Sequence, residues 1–93
     1  MSIITKIQIA YLMGKLHKTM GNYQFWSKRI RDWQNKVAAY NITSSNMKIS
    51  DSEMCKLHGN IRFYTRRVEA WKLQVEDIVY DLKRLGVDVD VGL

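Results

Sequence analysis

SDSEMCKLHGNIRFYTRRVEAWKLQVEDIVYDLKRLG, from Ser50 to Gly86, is the stretch that decides the fold. Apolar residues stand in it at Met54, Leu57, Ile61, Tyr64, Val68, Trp71, Val75, Ile78, Leu82 and Leu85, at steps that alternate three and four. That is the a/d seam of a coiled coil, held over about five heptads. Its start is marked by Ser50-Asp51-Ser52-Glu53. These residues form a capping box, with Ser50 as N-cap and Glu53 placed to satisfy it in return, and Ile49 and Met54 have the spacing of a hydrophobic staple. At the other end Lys83 and Arg84 suit the helix dipole. Gly86 is a natural C′ residue, with Val87 placed to close a Schellman cap. The pattern predicts a helix over 50–85.

The first half carries the same period less cleanly. Ile9, Leu12, Leu16, Tyr23, Trp26, Ile30, Trp33, Val37 and Tyr40 share one stripe, with Thr19 in the slot between Leu16 and Tyr23. Gly14 and Gly21 each weaken a helix by roughly 1 kcal/mol relative to alanine. Gly21-Asn22 could also end one helix and cap another. Residues 3–40 are therefore read as one helix with a soft spot or as two helices split near 21. The polar stretch 41–49 is the connecting loop, and a loop that short makes the helices antiparallel neighbours. Val87 to Leu93 reads as a frayed tail, or as an arm that pairs only in an oligomer. The whole is one all-α domain, a long antiparallel helical hairpin over 1–93. The absence of proline and the presence of only five glycines favour long helices over a turn-rich β fold.

The two halves also resemble each other. Gly21 to Val37 aligns with Gly59 to Val75 at an offset of 38 residues, with six of 17 positions identical and four conservative. A shared heptad forces some of that agreement, but it does not force the Gly-Asn start or the Phe-aromatic-(Ser/Thr)-basic-Arg core. A duplication is inferred, and a hairpin of two such copies has a pseudo-two-fold axis.

Composition bounds the function. The chain is 46% hydrophobic and 26% charged, with a net charge of +6. Residues 1–40 hold seven Lys/Arg and one acid, whereas residues 76–93 hold five acids against Lys83 and Arg84. A basic chain suits nucleic acid, an anionic membrane or an acidic protein surface. A single cysteine, Cys55, excludes an internal disulfide and suits a cytoplasmic setting. The first residues lack a signal-peptide core, and no apolar run is long enough for a membrane span.

The candidate site is basic and aromatic. Phe25 has Lys28, Arg29 and Arg31 near it in the first copy, and Phe63 has Arg62, Arg66 and Arg67 in the second. In the antiparallel register the two sets meet mid-hairpin, where cations could neutralise phosphates and exposed rings could stack on bases. The plainer reading makes Phe25 and Phe63 a second packing face, with the arginines as flanking side chains that snorkel and pair. Trp26, Trp33 and Trp71 lie on the stripe and read as core.

Tyr11, Met13, Met20, Phe25, Phe63, Val79 and Tyr80 lie off the stripe and would stay wet on a lone hairpin. That argues for a homo-oligomeric bundle, or for a third helix folding back at Gly21. His17, Cys55 and His58 supply too few ligands for a structural or catalytic zinc, so no metal or other cofactor is expected. Glu76, Asp77 and Asp81 have no base partner and read as solvated ion-pair partners of Lys15 and its neighbours.

No catalytic arrangement is assembled. The expectation is a non-enzymatic, self-associating binding protein whose anionic partner is nucleic acid or nucleotide, or else an acidic protein surface. The alternatives are a structural or adaptor subunit, and an inhibitor of another protein. The charge of +6 counts against mimicry of nucleic acid by such an inhibitor.

Overall fold

The computed structural model describes residues 2–42 and 51–92. Two helices, α1 (Ile3–Ile42) and α2 (Asp51–Arg84), form an antiparallel hairpin with extents of 65 × 20 × 14 Å. α1 starts on a cap that the seam pattern did not signal: the Thr5 amide donates to Ser2 Oγ at 3.0 Å. The box at Ser50 and the staple from Ile49 lie outside the described residues.

α1 passes through Gly14 and Gly21 without interruption. No third helix is made at Gly21, because continuing α1 keeps its whole stripe against α2. Burial of several large side chains outweighs about 1 kcal/mol of glycine propensity. Every described seam position on both helices is buried or half-buried. Thr19 fits there, 6% exposed, because its hydroxyl donates to the Lys15 carbonyl at 2.8 Å. The tightest packing lies at the end of the hairpin away from the connection, where Leu16, Val75, Ile78 and Leu82 form a buried cluster.

α2 closes with the expected Schellman geometry. The Val87 amide donates to the Leu82 carbonyl at 2.9 Å and the Gly86 amide to the Lys83 carbonyl at 3.0 Å. Gly86 has φ of +88°, a conformation that L side chains rarely adopt. This turn sends the chain back along the hairpin. The tail is not frayed, contrary to the sequence reading. Val87, Val89 and Val91 are half-buried against the Leu16–Leu82 cluster, while Asp88 and Asp90 are exposed. The alternation of valine and aspartate is that of an extended segment with one dry side. Its last turn is held by the Gly92 amide donating to Asp90 Oδ1 at 3.0 Å.

The tail covers the outer half of one face of the hairpin. It borders Met13, Met20 and Gln24 on α1, and Glu76 and Val79 on α2. Met20 and Val79, expected to need an oligomer or a third helix for burial, are sheltered by the tail within the chain. The other face is left uncovered. At its outer end Gln8, Tyr11, Leu12, Asp81, Arg84 and Leu85 line an open cleft between the helices. No helix among the described residues is long and apolar enough to cross a membrane.

The glycines provide a test. A Cβ at Gly14 or Gly21 would meet nothing within 4 Å. Gly14→Ala and Gly21→Ala should each raise stability by about 1 kcal/mol. Gly86→Ala should cost about 1–2 kcal/mol through its left-handed backbone. Urea unfolding at fixed protein concentration measures all three, and a loss of stability at Gly21 would contradict a continuous α1.

Candidate functional site

The middle of the hairpin is built on aromatic rings. Trp26 of α1 and Tyr64 of α2 both occupy d positions of the seam, and their rings stack with centroids 4.1 Å apart and planes 5° from parallel. Phe25 stands edge-on to Trp26 at 5.2 Å and 89°, and Phe63 stands edge-on to Tyr64 at 5.0 Å and 90°. The result is a four-ring row, Phe25–Trp26–Tyr64–Phe63, across the hairpin. Trp33 tilts against both central rings, at 6.4 Å from Trp26 and 5.7 Å from Tyr64. Edge-to-face and stacked pairs each add about 0.5–1.5 kcal/mol beyond the area they bury.

Arginines flank the row. The Arg29 guanidinium lies 5.7 Å from the Trp33 ring centre, and that of Arg67 lies 5.4 Å from Trp71 and 5.8 Å from Phe63. Such cation–π contacts hold a guanidinium over a ring while leaving its outer donors open to a ligand. The sequence reading placed the tryptophans in the core and did not weigh this pairing. Its signal was present in the four-residue spacing of Arg29–Trp33 and Arg67–Trp71.

These contacts obey the internal repeat. Trp26 and Tyr64 are equivalent residues at the 38-residue offset, so their stack sits on the pseudo-two-fold axis. Phe25–Trp26 maps onto Phe63–Tyr64, and Arg29–Trp33 onto Arg67–Trp71. A two-fold axis that exchanges antiparallel helices must stand perpendicular to the plane of the hairpin, so equivalent residues share a face. Phe25 and Phe63 therefore lie on one face, as do Arg29 and Arg67. Phe25 is two heptads from Tyr11 and Phe63 three heptads from Arg84, and both of those residues line the cleft on the uncovered side. The row thus faces away from the tail. Its end rings are 56% and 55% exposed, so they are not buried within the chain.

The six candidate cations do not form one cluster. Arg29 and Arg67 flank the rings. Lys28 and Arg66 occupy the outermost line of their helices, and Lys28 shares a shallow cleft with Phe25, Arg29, Asp32 and Trp33. Arg31 and Arg62 turn to the other face. Arg31 is one heptad beyond Gln24 and Arg62 two heptads before Glu76, and both of those residues border the tail. At 100° per residue, no single face of a helix holds both Arg29 and Arg31.

Elsewhere His17, Cys55 and His58 are exposed. Among the described residues no three His, Cys, Asp or Glu side chains are placed to hold a metal ion. Among the same residues, no ion pair joins Lys15 to Glu76, Asp77 or Asp81. The sequence reading also passed over Ile3, Ile4, Ile7 and Leu73, all more than 60% exposed. A comparison with known protein families, curated proteins and solved structures finds no match for this chain.

The stack should be an anchor of the fold as well as of the site. Trp26→Ala should lower unfolding stability by about 2–3 kcal/mol, since the ring is half-buried rather than fully enclosed. Trp26→Phe should recover at least half of that loss. Equal losses for the two variants in denaturant titrations would mean that ring stacking contributes nothing.

Proposed function

We propose that the chain is a non-enzymatic helical binding protein that self-associates and uses its uncovered mid-hairpin face to engage an anionic partner, with nucleic acid favoured. The carrying observation is the pair of equivalent units on that face, each an exposed phenylalanine beside an arginine held over an aromatic ring. The net charge of +6 supports it, because basic side chains neutralise phosphates and release counterions.

Self-association is supported by the balance of burial. Among the described residues five hydrophobic side chains are buried, and nine large ones are exposed. The accessible surface of 7147 Å² exceeds the roughly 5600 Å² expected of a compact monomer of this mass. Ile3, Ile4, Ile7 and Tyr11 supply a contiguous exposed patch on the first turns of α1. The same patch, with Leu73 and Tyr80, favours a second reading, that of a structural or adaptor subunit acting through helix packing alone. In both readings the setting is intracellular, as a single free cysteine suits.

Two measurements separate the readings. Anisotropy of a labelled oligonucleotide, titrated at several salt concentrations, should give binding that weakens linearly in log–log form. Arg29→Gln with Arg67→Gln should flatten that slope by about 1.4 for two lost phosphate contacts on a single strand. No binding at low salt would leave the subunit reading standing. Sedimentation equilibrium should give a mass above the 11.0 kDa of one chain, and Ile4→Asp with Ile7→Asp should reduce it. A wild-type protein that sediments as a monomer at all concentrations would exclude assembly.

A further inference from the structure

We propose that the partner of the uncovered face is a single-stranded nucleic acid, with unpaired bases stacked on Phe25 and Phe63 and phosphates held by Arg29 and Arg67. This rests on the reading of that face as an anion-binding surface and specifies its ligand.

Three features of the face select this ligand. The first is polarity. Away from the rings the same face carries Lys15, Lys18, Asp32, Lys36, Lys56 and Asp77, placed by the heptad on either side of the row. A second hairpin laid along it would bury these charges without assured partners, at a cost that helix packing does not recover. A hydrated polyanion leaves them wet.

The second is the exposure of the rings. Phe25 and Phe63 are more than half exposed, yet each stands edge-on to a half-buried neighbour, so little side-chain freedom is lost when a ligand covers them. A duplex keeps its base faces stacked on one another and would offer these rings only backbone. An unpaired base offers a planar face, and stacking on it tolerates any sequence. An acidic protein segment supplies charge but no regular series of planar groups.

The third is dimension. The centroid steps of 5.2, 4.1 and 5.0 Å limit the row to about 14 Å. At most about four nucleotides fit along it at the roughly 3.4 Å spacing of a stacked strand. The guanidiniums of Arg29 and Arg67 lie beside the row on opposite sides of the axis, where a strand crossing it would place phosphates.

The test uses the full chain and four probes at one low salt concentration. These are a labelled single-stranded oligonucleotide, the same strand annealed to its complement, an abasic deoxyribose-phosphate strand of equal length, and polyglutamate as competitor. The single strand should bind at least about tenfold more tightly than the duplex or the abasic strand, and should change tryptophan fluorescence. Phe25→Leu with Phe63→Leu should weaken single-strand binding by roughly tenfold per ring and leave abasic binding unchanged. Both rings are exposed, so helicity should persist, and circular dichroism checks this. Equal affinity for the abasic strand or the duplex overturns the stacking proposal while the phosphate-binding reading survives. Displacement of the strand by polyglutamate at equal charge overturns it in favour of an acidic protein partner. Failure of every probe to bind removes the anion-binding reading, and the proposal with it.

Discussion

Trp26 lies flat on Tyr64, and the register of the hairpin depends on that contact. The two rings occupy equivalent places in the two halves of the chain, so their meeting fixes how far one helix can slide along the other. A displacement by one heptad would separate them and leave both rings half paired. It would also carry Leu16 away from Val75 and Ile78, and open the aliphatic cluster. The stack thereby sets the burial of the outer end, the placement of the flanking arginines and the alignment of the two phenylalanines. Seam patterning alone specifies a face. The aromatic pair adds a position along it.

Much of this was legible in the residues. The seam of α2 could be read directly because every a/d slot is apolar, and the cap at Gly86 formed as its spacing required. The face shared by Phe25 and Phe63 followed from the repeat and the antiparallel register together. Two things were less legible. The tail read as frayed, or as an arm for an oligomer, because the sequence shows no surface of its own chain to receive it. Its period of two is informative only if a groove exists to receive the valines, and that groove is a property of two helices packed together. The division of the basic residues was available in principle, since Arg31 and Arg62 occupy heptad positions turned away from Arg29 and Arg67. Counting charge along the chain conceals such a division, because neighbours in sequence point in different directions on a helix.

Gly21 shows how magnitude decides a local ambiguity. A Gly-Asn pair is a reasonable helix terminus on propensity alone. The cost of keeping helical glycine is about 1 kcal/mol, while Trp26, Ile30 and Trp33 beyond it each gain more by staying in line with the seam. The same pair recurs at Gly59-Asn60, where α2 also continues.

The hairpin has unequal ends. One is closed by buried leucine, isoleucine and valine and strapped by the tail, and the other half depends on rings that remain partly wet. Free energy of local opening should therefore fall along the molecule. Backbone amides near Val75 and Leu82 would exchange with solvent only when the whole domain unfolds. Those near Val37 and Leu57 would exchange through partial separation of the helices, so that the hairpin opens from its connection like a pair of tongs riveted at the far end.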